Sequence, residues 1–337
     1  MNNSGEEEAA RFVTLLYRGI LRREPDAEEQ AGHVRALLSG ASYSSIAESF
    51  VSSQEFRSVP QATGLFVAPG HYYSPIVDPV AAEKYLKTID HSVTNLPGIN
   101  IDRPKMVSLW HELLPFLTTA PFPDQKSDAF HYFFDNPSYS WGDGSVLHAM
   151  LRYFKPKRLI EIGSGYSSVC SFDTVERYLD SRAQLTFVEP YAGLLKAVLG
   201  EAAARVQIIE KPVQEVPLEL FQELEAGDVL FIDSTHVLRT GSDVCFELLE
   251  VLPRLARGVI VHFHDMFWPF EYPSEWVVKE NRSWNELYAV RAFLINNSNW
   301  NILFFNNYLA WLEQDMIERT FPAFLRNSGG ALWLQRA

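Results

Sequence analysis

The stretch that decides the fold is RLIEIGSGYSSVCSFDTVERYL, residues 158–179. An apolar run ends in a turn with glycines at Gly163 and Gly165, and a segment with helical spacing follows. Glycine lets the backbone pass close to a ligand, and Ser167 and Ser168 can cap the helix after the turn. The order of strand, glycine turn and helix is typical of nucleotide-binding α/β units. Because tight glycine turns also occur for purely structural reasons, the turn alone leaves both interpretations open.

Two acidic residues near this turn favour a ligand site. Glu161 lies at the end of the first strand, and Glu189 ends the next one in LTFVEPY. Glu189 follows the turn at about the distance where an acid can bind both hydroxyls of a ribose. A nicotinamide-binding sheet is the alternative, but Ser168 stands where its third glycine would fall, and a long segment precedes the turn.

Strands alternate with helices from residue 147 onward, which predicts a doubly wound, Rossmann-like α/β sheet of seven strands. The predicted strands are Arg158–Ile162, Leu185–Val188, Val206–Ile209, Val229–Ile232, Val259–Phe263, Asn301–Phe305 and Ala331–Leu334. Helical spacing near the N-terminus predicts a small all-helical domain before the sheet. We therefore predict three parts: a helical bundle over 1–58, a proline-rich and aromatic connector and lid over 59–140, and the sheet domain over 141–337.

Composition limits the class of partner. The formal net charge of −13 argues against nucleic acid and against an anionic membrane surface. The two cysteines, Cys170 and Cys245, lack metal-type spacing and suggest a reducing compartment. No apolar run is long enough to span a bilayer. We expect a cytoplasmic protein that acts on a small molecule and does not insert into membranes.

Polar side chains follow the fourth and fifth predicted strands. Asp233 ends the fourth strand, and His264 and Asp265 end the fifth. Neighbouring parallel strands lie about 4.8 Å apart, so these side chains should meet at the carboxyl edge of the sheet. Asp233, His264 and Asp265 could together hold a divalent ion, with Mg²⁺ favoured by the carboxylates and Mn²⁺, Fe²⁺ or Zn²⁺ by the imidazole. The alternative is structural: His264 bridges to a loop and Asp265 caps the following segment.

Two further histidines lie near this edge. His236 comes three residues after Asp233, where it could cap a loop as a neutral side chain. His262 lies deeper in the fifth strand, on the same face as His264, and we expect it to be structural.

The motif EIGSGYS and the acid at Glu189 resemble those of the class I S-adenosylmethionine-dependent methyltransferases. FIDSTHVLRTGSDV, the HFHD segment and GGALWL extend the resemblance over about residues 125–337. It implies that the turn holds the methionine part of the cofactor, Glu189 the ribose and Gln214 the adenine. The cofactor-binding residues expected from the turn and the resemblance are Glu161, Gly163, Ser164, Gly165, Tyr166, Ser167, Ser168, Glu189, Gln214 and Asp233.

The pattern at the fourth and fifth strands resembles a branch that methylates sugar and catechol hydroxyls with a metal. There an acid matching Asp233 and an acidic or amide pair after strand five bind Mg²⁺, and the position of His236 holds the general base. His264 stands where that branch more often has a carboxylate.

The segments LYRGILRREPD and LLSGASYSSIAESFVSSQEFR resemble a phycobilisome-linker-like domain of unknown function, often found beside sugar-transferring enzymes. The two resemblances together imply an O-methyltransferase acting on a sugar hydroxyl of a glycan or glycosylated metabolite. The N-terminal module could bind a protein partner, and the chain could form a homo-oligomer. The alternative is an assembly protein of a glycan-synthesis complex that binds cofactor without turnover.

Overall fold

The computed structural model divides into two compact units, Met1–Ala81 and Ala82–Ala337. The residues that the structure describes are 3–21, 23–58, 66–179 and 183–337. The predicted borders after residues 58 and 140 stay predictions, and residues 59–65, next to the first border, lie outside the described residues.

The first unit contains short helices around a small apolar core. Its helices are α1 (Asn3–Leu16), a π-helical turn (Tyr17–Leu21), α2 (Ala27–Leu38), α3 (Tyr43–Ser52) and α4 (Gln54–Ser58). Asp26 caps α2 and forms a capping box with Glu29, and the Ser42 hydroxyl accepts a hydrogen bond from the N–H of Ser45 to cap α3. Val13, Tyr17 and Phe50 are among the buried residues. The predicted helical N-terminal domain is confirmed.

The second unit is built on one seven-stranded sheet in the order β3-β2-β1-β4-β5-β7-β6. The strands are β1 (Arg158–Ile162), β2 (Gln184–Val188), β3 (Gln207–Ile209), β4 (Val229–Ile232), β5 (Ile260–Phe263), β6 (Trp300–Phe305) and β7 (Leu332–Arg336). β1 to β5 are parallel, whereas β7 runs antiparallel to both of its neighbours. The predicted doubly wound α/β sheet is confirmed.

Ten α-helices are described from Pro79 onward. They are α5 (Pro79–Leu86), α6 (Arg103–Leu117), α7 (Trp141–Phe154), α8 (Tyr166–Tyr178), α9 (Gly193–Leu199), α10 (Leu218–Gln222), α11 (Asp243–Phe246), α12 (Glu286–Leu294), α13 (Asn306–Leu312) and α14 (Gln314–Thr320). β4 and β5 are buried along their whole length. Parallel strands with covered faces read as nearly continuous apolar runs, which is why both were visible in the sequence.

The aromatic segment before the sheet packs into the same core as the strands. Trp110, Tyr132 and Tyr139 are almost fully buried within one apolar cluster with the sheet. The carboxylate of Asp173, on α8, accepts hydrogen bonds from the backbone N–H groups of His131 and Tyr132 at 2.8 and 2.9 Å. Part of the segment predicted as a connector and lid therefore belongs to the core, because its aromatic side chains bury large areas there.

No helix in the described part of the chain is both long enough and apolar enough to cross a bilayer.

Candidate active site

The first glycine of the turn after β1 meets the end of β4. Gly163 has a φ of 83°, in the left-handed region that favours glycine. A Cβ atom at this position would lie 1.8 Å from the carbonyl oxygen of Asp233. The Gly163 N–H donates to the carbonyl of Val188 at 3.0 Å. Gly163 is therefore required by the close approach of the protein's own backbone.

The second glycine, Gly165, faces open space. A Cβ atom built there meets no atom within 4 Å among the residues that the structure describes. Gly165 is the N-cap residue of α8, and its N–H donates to the Ser168 hydroxyl at 3.1 Å. The neighbouring Tyr166 ring packs edge to face on Phe133. The turn thus leaves room beside Gly165 for a ligand at the N-terminus of a helix, where backbone N–H groups favour polar and anionic atoms.

The buried carboxyl group of Glu161 supports the start of α8. One oxygen of this buried carboxyl group accepts hydrogen bonds from the hydroxyls of Ser167 at 2.5 Å and Ser168 at 2.9 Å. The other oxygen is buried and has no hydrogen-bond partner among the described residues. Burial raises the pKa of Glu161 to about 8, although the two serine hydrogen bonds oppose the shift. The side chains of these three predicted cofactor residues therefore bond to one another, and their cofactor role stays a prediction.

A cleft of about 440 Å³ opens beside the turn. Gly163, Glu189, Gln214 and Asp233 are among its lining residues. The Glu189 carboxylate accepts a hydrogen bond from the N–H of Tyr191 at 2.8 Å, and the Ser164 hydroxyl lies 3.5 Å from its second oxygen. Gly163, Glu189, Gln214 and Asp233 thus come together around one cavity, which is large enough for part of a nucleoside, whereas Ser164, Gly165 and Tyr166 are not among its lining residues.

The carboxyl ends of β4 and β5 meet as the sequence predicts. Ile232 pairs with Phe263 in the parallel ladder, so Asp233 and His264 follow at neighbouring positions. The His264 N–H donates to the carbonyl of Ile232 at 2.9 Å. Asp233 therefore borders both the cleft and the polar edge after β5.

His236 lies at the centre of this edge. Its Nε2 atom is 3.5 Å from Oδ1 of Asp233 and 3.4 Å from Oδ2 of Asp265. Its Nδ1 atom is 2.8 Å from Oε2 of Glu286, at the start of α12. The side chain is only 5% exposed, and its ring packs at 4.4 Å on that of Trp284. An imidazole is thus held between three carboxyl groups.

The charges of this group shift its pKa values. Burial alone lowers the pKa of His236, but its hydrogen bonds and charge interactions with Asp233 and Glu286 outweigh burial and raise the pKa well above the usual histidine value. Burial raises the pKa of Asp233, but the positive charges of His264 and His236 and the hydrogen bond to His236 bring it below its usual value. Burial raises the pKa of Glu286, and its hydrogen bond to His236 opposes that change.

The donor atoms most suited to a metal ion differ from the predicted set. Asp233, His236 and Asp265 each offer one ligand atom, and these atoms lie within 4.8 Å of one another. The predicted set contains His264 in place of His236. Nε2 of His264 is 3.5 Å from Asp265, and its buried Nδ1 has no partner in the described part of the chain. The side chain follows the alternation of β5 toward the Tyr139 ring, 5.1 Å away.

Two members of this group have unusual backbone conformations. His236 has a φ of 60° and Asp265 a φ of 55°, in the left-handed region that non-glycine residues rarely adopt. Gly330 packs against Asp265, since a Cβ atom at Gly330 would lie 3.1 Å from the Asp265 Cα. Residues held in such conformations cluster at functional sites. The surrounding structure thus forces both side chains toward the edge.

Two buried carboxyl groups near this edge, those of Asp143 and Glu286, were not predicted from the sequence. Asp143, in the first turn of α7, has its pKa raised to about 7, because burial outweighs its attraction to His264. It accepts a hydrogen bond from Asn306 at 3.2 Å. The segment SWGDGS, with an acid between two glycines, was a possible signal for Asp143. Glu286 lies 50 residues after His236, and its local sequence carries no such signal.

His262 packs in the sheet interior, as expected for a structural residue. Its ring stacks on Phe231 at 3.9 Å, and burial lowers its pKa well below the usual histidine value. Neither ring nitrogen has a hydrogen-bond partner within the residues described.

Comparison with known proteins identifies two parts of the chain. Residues 160–266 match the family model described as a methyltransferase domain, and residues 2–59 match that of a domain of unknown function, DUF4214. An uncharacterised protein of Archaeoglobus fulgidus is 28% identical over 175 residues, which cover 50% of this chain and 78% of that protein. These matches confirm the predicted methyltransferase domain and the N-terminal domain of unknown function, whereas the metal-assisted branch stays a prediction.

Two solved structures are among those similar to this one. A methyltransferase of Podospora anserina bound to SAH is 18% identical, with 77% of this chain and 94% of that chain covered and a TM-score of 0.39. The O-methyltransferase TomG of Streptomyces achromogenes in complex with SAM is 14% identical, with 76% and 96% covered and a TM-score of 0.38.

Proposed function

We propose that this chain, an S-adenosylmethionine-dependent methyltransferase with its methyltransferase domain at residues 160–266, transfers the methyl group to a hydroxyl oxygen. The observation that carries this proposal is the position of Asp233. Asp233 lines the cleft beside the glycine turn and also lies 3.5 Å from Nε2 of His236. Asp233 would therefore lie between a bound cofactor and the general base.

The cleft fits the expected cofactor. Glu189 offers a half-buried carboxylate at the end of β2, suited to the two hydroxyls of a ribose. The open space at Gly165 lets a ligand approach the start of α8. S-adenosylmethionine, when bound, supplies an electrophilic methyl group on a positively charged sulfur. The carboxylate of Asp233 would favour that charge at the inner end of the cleft.

His236 would act as the general base. A hydroxyl is a poor nucleophile until its proton is removed, and Nε2 of His236 would accept that proton as the oxygen takes the methyl group. The raised pKa of His236 has a direct consequence, because only the neutral imidazole can accept a proton. Methyl transfer should therefore increase with pH until His236 has lost its proton.

The donor set also fits a divalent ion, which would lower the pKa of a bound hydroxyl. Asp233 and Asp265 are the carboxylates that would hold such an ion, since they approach His236 from two sides. His264, the third residue of the set predicted from sequence, contacts Asp265. His236 cannot serve as base and as ligand through the same Nε2 atom, because coordination uses the lone pair that a proton needs. We assign His236 to the base.

The acceptor in this proposal is a sugar hydroxyl of a glycan or glycosylated metabolite. The N-terminal match to DUF4214 supports it only through the association with sugar-transferring enzymes noted above. Trp284, which packs on His236, and Trp276, which packs on Trp284, offer aromatic surface beside the base. Sugar rings present C–H groups that pack on such surfaces. A cytoplasmic location, a protein partner of the N-terminal module and a homo-oligomer belong to the same proposal.

Calorimetry and mass spectrometry test the proposal together. The full chain is titrated with S-adenosylmethionine and with its demethylated product, and is then incubated with a panel of sugars, nucleotide sugars and glycosides. We expect cofactor binding and an acceptor product that is heavier by one CH₂ unit. Cofactor binding without any methylated acceptor, with or without divalent ions, would favour the assembly protein instead. Absence of cofactor binding would contradict both functions.

Manganese binding separates the two roles of His236. The affinity for Mn²⁺ is measured by electron paramagnetic resonance for the unchanged chain, for Asp265→Asn and for His236→Asn. If His236 is the base, His236→Asn keeps the Mn²⁺ affinity, whereas Asp265→Asn lowers it at least about tenfold. Loss of Mn²⁺ in the His236 variant would instead make His236 a ligand.

A further inference from the structure

We infer that Glu286 is a positioning residue, which holds His236 so that its Nε2 atom faces Asp233 and Asp265 with a free lone pair. This inference rests on the proposed role of His236 as the base. Glu286 is not among the residues that line the cleft, and its carboxyl group contacts Nδ1 of His236, the ring nitrogen on the side away from Asp233 and Asp265.

The imidazole of His236 is closer to Glu286 than to the other two carboxyl groups. The distance of 2.8 Å between Nδ1 of His236 and Oε2 of Glu286 is that of a good hydrogen bond. The contacts of Nε2 with Asp233 and Asp265, at 3.5 and 3.4 Å, are longer. Glu286 is only 1% exposed, so water does not compete for its carboxyl group. Its hydrogen bond therefore controls the orientation of the ring.

The contact with Glu286 also determines which ring nitrogen of His236 carries the proton. A carboxylate only accepts hydrogen bonds, so the Nδ1 atom of His236 must carry the proton in this contact. In a neutral imidazole the other nitrogen, Nε2, then has the lone pair. Nε2 is the atom on the side of Asp233 and Asp265. Glu286 thus selects the tautomer that a base at this edge needs.

Hydrogen bonds of the backbone independently hold His236 next to Glu286. The carbonyl oxygen of His236 accepts hydrogen bonds from the N–H groups of Asn285 at 3.0 Å and Glu286 at 3.1 Å. The Asn285 side chain also accepts from the N–H of Leu238 at 2.5 Å and donates to its carbonyl at 3.2 Å. The loop after β4 and the start of α12 are therefore joined at four points. These contacts hold His236 in its left-handed conformation directly against Glu286.

Glu247 provides a matched control. It is another fully buried glutamate, and its carboxyl group accepts a hydrogen bond from the Ser234 hydroxyl at 3.1 Å. Burial raises the pKa of Glu247 well above its usual value, so glutamine closely resembles its neutral form. No hydrogen bond between Glu247 and His236 is found among the described residues. Glu247→Gln therefore makes the same chemical change without removing a hydrogen bond from the imidazole.

The test measures the tautomer of His236 and the rate of methyl transfer separately. Nitrogen-15 NMR of histidine-labelled full chain is recorded in the pH range where His236 is neutral, and its signals are assigned by their loss in His236→Asn. We expect the proton on Nδ1 in the unchanged chain and a rise of the Nε2–H tautomer in Glu286→Gln. We also expect kcat to fall roughly 10²-fold or more in Glu286→Gln with KM little changed, and both readouts to be unchanged in Glu247→Gln.

Each result distinguishes the inference from the proposed function. An unchanged tautomer in Glu286→Gln, or a proton on Nε2 in the unchanged chain, overturns the positioning role. A changed tautomer with full methyl transfer supports the positioning role and contradicts His236 as the base. If Glu286→Gln does not fold, Glu286→Asp keeps the charge at a greater distance, and we expect the same changes in smaller measure.

Discussion

The cofactor cleft and the polar edge after β4 and β5 lie side by side but are built in different ways. The cleft is lined by segments that follow the carboxyl ends of β1 to β4, among them Gly163, Glu189, Gln214 and Asp233. The edge joins His236 to Asp265 and to Glu286, which lies 50 residues further along the chain. Asp233 belongs to both regions.

This difference determines what each region tolerates. In the turn, backbone atoms pack on backbone atoms, so a single added carbon at Gly163 disturbs the fold. At the edge, side chains are held by charges and hydrogen bonds, so a change of chemistry alters reactivity before it alters the fold. Substitutions in the two regions should therefore separate rate, stability and cofactor affinity.

The largest effect is expected for His236→Asn. Loss of a placed general base should lower kcat for methyl transfer about 10²- to 10⁴-fold, because the acceptor hydroxyl keeps its proton. Cofactor affinity, measured by calorimetry, should stay within about twofold, since His236 lies outside the set of residues that line the cleft. His111→Asn, at an exposed position on α6, is the matched control and should leave the rate unchanged. Full activity in the His236 variant would remove the base from the mechanism.

The two glycines of the turn should behave differently. Gly163→Ala should lower the free energy of unfolding by about 3 kcal/mol or more, because its Cβ atom would meet the Asp233 carbonyl and its φ is positive. Gly165→Ala should leave the thermal midpoint unchanged and raise the Kd for S-adenosylmethionine roughly tenfold, since its methyl group would extend into the open space where we propose that the ligand binds. Thermal unfolding and calorimetry measure both. Equal losses of stability in the two variants would contradict the distinction.

Glu189→Gln tests the outer end of the cleft. We expect the Kd for S-adenosylmethionine to rise about tenfold, as one charge-assisted hydrogen bond is weakened, with little change in stability. Glu210 is the control, because it also follows a strand, β3, but pairs with Lys196 at the surface. Glu210→Gln should leave cofactor affinity unchanged. A similar loss of affinity in both variants would indicate a general effect of charge.

The last effect concerns Glu161 and the pH dependence of stability, and it is the smallest when measured over one pH unit. Its pKa is about 8 in the folded chain and near 4.5 when the chain is unfolded. The folded state therefore binds the extra proton between these values, and stability falls as pH rises through this window by roughly 1 kcal/mol per pH unit. Glu161→Gln removes this contribution. Denaturant unfolding from about pH 5 to pH 8 should show a flatter dependence in the variant, whereas parallel curves would show that Glu161 is already charged in the fold.

Much of the fold was readable from the sequence because its signals are local. β1 and β4 have the predicted bounds, since buried parallel strands appear as short apolar runs between turn residues. The meeting of Asp233 with Asp265 follows from the pairing of two neighbouring strands. Strand alternation and chain order were sufficient for these conclusions.

Which side chains meet at the polar edge could not be predicted from the sequence in the same way. Alternation along β5 carries His264 toward Tyr139, while the left-handed conformation of Asp265 brings its carboxylate to His236. That conformation depends on packing against Gly330, in a segment that is distant in the chain. The contact between His236 and Glu286 likewise depends on where α12 begins in three dimensions. Such contacts arise from tertiary packing, which a local pattern does not encode.

The most direct test of the account is a crystal structure of the full chain with S-adenosylhomocysteine. We predict that the ribose hydroxyls lie at the Glu189 carboxylate. The sulfur should lie beside Gly165, on the side that faces Asp233 and His236. A ligand bound away from this turn, or a sulfur directed away from Asp233, would contradict the claim that Asp233 lies between the cofactor and the base.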